Sequence, residues 1–111
     1  MQPTFTTVTN MTHARIADVK FKPGMREQGL NIIADIGKDT REGFGGMLIL
    51  LPTNDEDMAT YVTLWDSEEA MNSSWAKISP RATEALKGLL AEPVLMRSTK
   101  VREAQKIAIP V

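Results

Sequence analysis

Cysteine is absent, and histidine occurs once, at His13. The first absence excludes disulfides, thiolate nucleophiles and cysteine-ligated metals. The second argues against a histidine-rich zinc or iron site within one chain, so no metal centre is expected. No block of like charge occurs, and 13 Lys and Arg against 14 Asp and Glu leave a net charge of -1. Nucleic-acid binding is therefore not expected, because it usually shows as a basic stripe. No long apolar run occurs either. The longest, Met47–Leu51, falls far short of the ~20 residues needed to span a bilayer, and no membrane role is expected. The opening "MQPTFTTVTNMT" lacks the basic region and apolar core of a secretory leader. A cytoplasmic protein is the resulting expectation. What remains is 111 residues, 42% hydrophobic and 24% charged, enough for one globular domain with one modest core.

Residues 1–12 are polar and threonine-rich, and they read as an N-terminal arm. Periodicity starts at Ala14. In "ARIADVKFK", Arg15, Ala17, Val19 and Phe21 fall on one face and Ile16, Asp18, Lys20 and Lys22 on the other, which is the period-two pattern of a strand. Pro23–Gly24 ends it. Over residues 25–42 the period changes. Met25, Gly29, Ile32, Ile33 and Ile36 share a face, while Arg26, Asp35 and Lys38 point away, as in an amphipathic helix. Gly29 and Gly37 each weaken that helix by about 1 kcal/mol relative to alanine, and a glycine on the buried face lets a helix lie close to a sheet.

"GFGG" (residues 43–46) breaks the helix. It opens no helix and lacks the lysine of a phosphate loop. Strands are expected near 44–52 and 58–66, the second carrying Tyr61, Thr63 and Trp65 on one face. Asp66 or Ser67 caps the next helix, with Glu68 and Glu69 suited to its positive end. That helix is expected in two pieces, 67–78 and 80–91, because Ser79–Pro80 offers a fresh cap and first turn. A last strand falls near 93–103, and 105–111 form a tail. The order is βαββαβ, an α+β, ferredoxin-like pattern with an antiparallel four-stranded sheet and both helices on one face. The domain spans 13–104. Its open face, holding the apolar Met47–Leu51 and the aromatic face of Tyr61 to Trp65, implies a homodimer.

"EGFGGMLILLPTNDEDMATYVTLWDSEEAMNSSW", followed by "TEALKGLLAEPV", resembles the antibiotic biosynthesis monooxygenase-like domains of the dimeric α/β barrel superfamily. The resemblance covers roughly residues 14–101. It implies a cavity between helices and sheet in each subunit, with two sheets packed face to face. It also implies cofactor-free oxidation of a small aromatic or quinol-type substrate, although the superfamily holds other chemistries and fold does not fix function. Quinol-monooxygenase-like members carry a helix histidine nine residues after the strand-end tryptophan, where this chain has Ser74. Haem-degrading members use a tryptophan near Trp75, a histidine ten residues later, where Ala85 stands, and a first-strand asparagine that is lacking here. No cofactor is expected.

The candidate catalytic residues are Trp75, as donor or stacking wall, and His13 or Asp18, as base. The candidate substrate-binding residues are Trp65, Tyr61, Arg97 and Met47. Each also has a plainer account. Trp65 and Trp75 suit core packing, His13 a solvated position, Asp18 a cross-strand pair and Met47 apolar filling. Tyr61 suits the dimer interface. Arg97, if inward, needs a carboxylate or a ligand anion. Two functions stand open: a cofactor-independent monooxygenase, and a non-catalytic dimeric ligand-binding or structural protein of the same fold.

Overall fold

A computed structural model of the chain describes residues 5–7, 11–38, 42–103 and 108–110. Its elements are β1 (Phe5–Thr7), β2 (His13–Lys20), α1 (Arg26–Gly37), β3 (Phe44–Leu50), β4 (Met58–Trp65), α2 (Glu68–Leu86), β5 (Leu95–Lys100) and β6 (Ala108–Pro110). Four strands form one antiparallel sheet in the order β3-β4-β2-β5. With α1 and α2 crossing its one face, this is the ferredoxin-like α+β arrangement read from the sequence.

Side chains alternate across a strand, so the register assigns both faces. Arg15, Ala17 and Val19 of β2 look toward the helices, beside Ala59, Tyr61, Thr63 and Trp65 of β4. Ile16 looks the other way, in a row that runs Leu48, Val62, Ile16, Arg97 across all four strands. The core gathers Val19, Phe21, Ile33, Ala59 and Leu86. Phe21 lies directly beneath Gly29 of α1, and a Cβ at Gly29 would collide with its ring. The buried glycine that weakens α1 is thus what allows the helix to approach the sheet.

Three expectations need correction. First, α2 is one helix through Pro80, not two. Pro80 is exposed, so the Ala76 carbonyl that it leaves unpaired faces no apolar layer. The buried stripe of Met71, Ser74, Trp75, Ile78, Ala82 and Leu86 runs past it without a break. Second, α2 stops at Leu86. Gly88 takes a φ of +87°, and Leu90 instead bridges to Phe21 in extended backbone. Ser67 is the cap, its Oγ accepting the Ala70 N–H at 3.0 Å. Third, Tyr61, Thr63 and Trp65 face the helices and contribute nothing to the open face.

β1 and β6 pair antiparallel in a separate ribbon, with Phe5 opposite Pro110. Both strands of such a ribbon are edges, which is where proline is tolerated. Within the described residues the tail thus pairs with the arm of its own chain. The helix expected to run to 42 ends at Gly37, with Lys38 as its C-cap and Glu42 in a turn; residues 39–41, 104–107 and 111 lie outside the described residues.

Candidate functional site

A cavity lies between the helices and the sheet. Its sheet side is made by Arg15, Met47, Tyr61, Thr63, Trp65 and Met96, and its helix side by Ile33 and Ile36 of α1 with the α2 stripe. It offers about 60 Å³ to the centres of water-sized molecules. A single water needs roughly 10–15 Å³ on that measure, so there is room for several. Among the described residues the lining is almost wholly apolar, and none of them is a carboxylate or a histidine.

Arg15 breaks that pattern. It is the one charged residue among the described lining residues and is only 8% exposed. Its Nη2 donates to Asn72 Oδ1 at 2.9 Å and to Ser98 Oγ at 3.4 Å. Its Nε and Nη1 are buried without a partner. The guanidinium carbon lies 5.4 Å from the Trp75 ring centroid, a cation–π distance. Burial lowers the Arg15 pKa, and the neighbouring Tyr61 opposes that shift. The Tyr61 phenol is raised by burial and drawn back by the Arg15 charge. Ser74, 5% exposed, also lines the cavity with its hydroxyl buried and unpartnered.

Four of the residues singled out in the sequence meet here: Trp65, Trp75, Tyr61 and Met47. Trp65 is both core plug and wall. Its indole N–H donates to Thr63 Oγ1 at 2.9 Å, and its ring packs on Phe44 with centroids 5.1 Å apart. That donor is already engaged. Trp75 offers its face to Arg15.

Three residues are placed elsewhere. His13 opens β2 but is not in the lining. Its Nδ1 is 2.8 Å from Thr12 Oγ1, which itself donates to the Asp66 carbonyl, and its Nε2 lies 3.9 Å from Glu68 at the start of α2. The solvated account of His13 also fails, because Nε2 is buried. Asp18 is on the far face of the sheet, where it accepts a hydrogen bond from Thr60 Oγ1 at 2.7 Å. Its partner is a hydroxyl rather than a cation. Arg97 is exposed on that same far face. The period of two dictates both placements, since Asp18 and Arg97 fall on strand positions out of phase with the cavity.

Arg15 and Ser74 are the polar groups that the candidate list omitted. The signal for Arg15 was present: it shares the period-two face of Ala17, Val19 and Phe21, so a cation was already assigned to the inner side. Among the described residues, no cluster of three or more His, Cys, Asp or Glu could hold a metal ion, and no helix is long and apolar enough to cross a membrane.

Sheet order, helix placement and cavity define a ferredoxin-like α+β protein with its pocket under the helices. No protein-family model matches the sequence, and no curated protein matches it. Solved structures do match, among them antibiotic biosynthesis monooxygenase-like proteins and a protein of unknown function. One, from Chloroflexus aurantiacus and named for the antibiotic biosynthesis monooxygenases, aligns at TM-score 0.70 and 19% identity, covering 84% of this chain and 95% of its own. SnoaB, a cofactor-independent oxygenase from Streptomyces nogalater, aligns at TM-score 0.69 and 13% identity, covering 87% and 99%. A protein of unknown function from Nitrosomonas europaea aligns at TM-score 0.74 and 13% identity, covering 87% and 95%. At these identities the likeness establishes the fold.

Proposed function

We propose that the chain is a cofactor-independent oxygenase of small phenol- or quinol-type aromatics, with the chamber around Arg15 as its substrate site. The observation that carries this reading is the chamber itself: an apolar, tryptophan-walled space under the helices with one buried cation in it. Such a space suits a flat, electron-rich ring. Trp75, Trp65 and Tyr61 fix the ring plane, and Met47 and Met71 supply adaptable apolar contact. The fold shared with SnoaB supports the same class of chemistry.

The reaction needs only substrate and dioxygen. The phenol loses its hydroxyl proton, and its anion passes one electron to dioxygen. The resulting radical pair joins as a carbon–oxygen bond at a ring carbon bearing hydrogen. The hydroperoxide then loses water, carrying away that hydrogen. One oxygen atom stays as the new carbonyl and the other leaves in water, so phenol plus dioxygen gives quinone plus water. His13 and Asp18 are not placed to act as base here, and the anion must be favoured in another way.

A second reading has one observation in its favour. Among the described residues no carboxylate or imidazole lines the chamber, which suits a chain that binds an aromatic ligand without turning it over. Dioxygen uptake with a panel of dihydroxyaromatics separates the two. The oxygenase reading expects uptake that saturates with substrate and equals the quinone formed. Quenching of Trp65 and Trp75 fluorescence with no uptake would leave the binding protein.

The partner expected from the sequence is a second copy, and we propose it on narrower grounds. The open face presents Leu48, Leu50 and Leu95, 39%, 50% and 71% exposed, around Ile16 and Val62. It also carries Asp18 and Arg97, so a two-fold copy would meet opposite charges in return.

A further inference from the structure

A substrate chamber alone does not explain why its one charged group is left short of partners. Arginine stays ionised at any ordinary pH. Burying it without a counter-charge is costly. Its inward neighbours on β2, Ala17 and Val19, are apolar and fully buried. The hydrogen-bond partners of Arg15, Asn72 and Ser98, are both neutral. The Nε and Nη1 hydrogens are unclaimed, and the Ser74 hydroxyl is unclaimed in the same lining.

We infer that Arg15 and Ser74 form an oxyanion subsite, and that the ligand is bound there as a phenolate. This rests on the chamber being the substrate site. Three features select the ligand class. Among the described residues there is one cation in the lining, which matches a monoanion rather than a dianion. The Trp75 ring lies beside the guanidinium, with Trp65 and Tyr61 continuing the wall, so the body of the ligand is aromatic. Nη2 belongs to both of the two-pronged edges of a guanidinium, and its two hydrogens are already given to Asn72 and Ser98. The bidentate grip that favours a carboxylate is thus taken up, whereas single N–H donors remain for one phenolate oxygen. The subsite also supplies what the chamber lacks in a base. A cation within about 4–6 Å lowers an acid's pKa by about 1–3 units, so the phenol gives its proton to solvent as it binds.

The test uses 4-nitrophenol, whose phenolate absorbs in the visible and whose phenol does not. The probe is titrated with pH, free and with saturating protein. Binding in an apolar chamber alone raises its pKa, and the subsite lowers it, so the sign decides. A downward shift of about one unit or more is expected, lost in Arg15→Met, kept in Arg15→Lys and reduced in Ser74→Ala. An unchanged or raised pKa with the wild-type protein overturns the proposal, as does the absence of binding at millimolar probe. The wild-type titration decides even if a variant fails to fold. Dioxygen is not read here. A lowered pKa without turnover of any phenol keeps the subsite and discards the oxygenase reading. Turnover with a raised pKa does the reverse.

Discussion

Tyr61 is the only tyrosine in the chain, which makes it a private reporter of the chamber. Burial holds its pKa above the ordinary tyrosine value, and Arg15 pulls it back only in part. Tyrosinate absorbance should therefore rise with a midpoint above the usual ~10, and Arg15→Met should move the midpoint higher still. The linked effect on stability has a definite sign. A raised folded-state pKa means that the unfolded chain ionises first. The stabilisation from Tyr61 is thus complete below pH ~10 and falls as pH rises through that value. A midpoint at the ordinary value would place Tyr61 in water, and one below it would mean that the Arg15 charge outweighs burial. Residue by residue, the aromatic part of the site was legible in the sequence. Trp65, Trp75 and Tyr61 stood out because large flat side chains are rare here. The polar part was not. Arg15 was on the right face, but cations on strands usually point to water, and Ser74 was noticed only as the place of an expected histidine. Whether a hydroxyl is left unpaired depends on what the helix packs against, which local sequence does not encode.

At the scale of the element, α2 is the instructive case. Its local signals, Ser79 followed by Pro80, spell a helix start. Its long-range signal, an apolar stripe from Met71 to Leu86 at helical spacing, spells continuity. The stripe prevails because burial against the sheet outweighs one lost backbone hydrogen bond on the exposed side. Proline in a helix interior is worse than alanine by about 3 kcal/mol, so Pro80→Ala should stabilise the protein by about 1–3 kcal/mol in urea unfolding. Loss of stability on that substitution would mean that the ring of Pro80 packs where it is exposed here. β2, β3 and β4 came out within about two residues of their expected bounds, while α1 and β5 proved shorter than expected, α1 ending at Gly37 rather than 42. α2 ended early because Gly88, a residue that readily takes a positive φ, falls within the leucine-rich stretch Leu86–Leu90.

For the whole molecule, the βαββαβ order of the four-stranded sheet was legible from changes of period and the turn and cap signals between them, whereas the β1–β6 ribbon was not. Tyr61 and Trp65 line the chamber and add nothing to the surface that a second copy would cover. What remains on the open face is the aliphatic set of Leu48, Leu50 and Leu95 with Ile16 and Val62. Apolar burial yields about 25 cal/mol per Å², so covering that patch would favour association. Sedimentation at micromolar concentration should find a dimer, and Leu48→Lys should dissociate it by at least tenfold while leaving the circular dichroism spectrum unchanged. A wild-type monomer under those conditions would remove the second copy from the account. The oxygenase reading would survive it, since all the chamber-lining residues come from one chain.

The central claim is that an aromatic anion sits under the helices against Arg15. A crystal structure with bound 4-nitrophenol tests it most directly. The account predicts the ring within the walls of Trp75, Trp65 and Tyr61, with the phenolate oxygen at hydrogen-bond distance from Arg15 Nε or Nη1 and from Ser74 Oγ. A probe bound only in an outer groove or on the open sheet face, with Arg15 making the same two contacts as before, would contradict it.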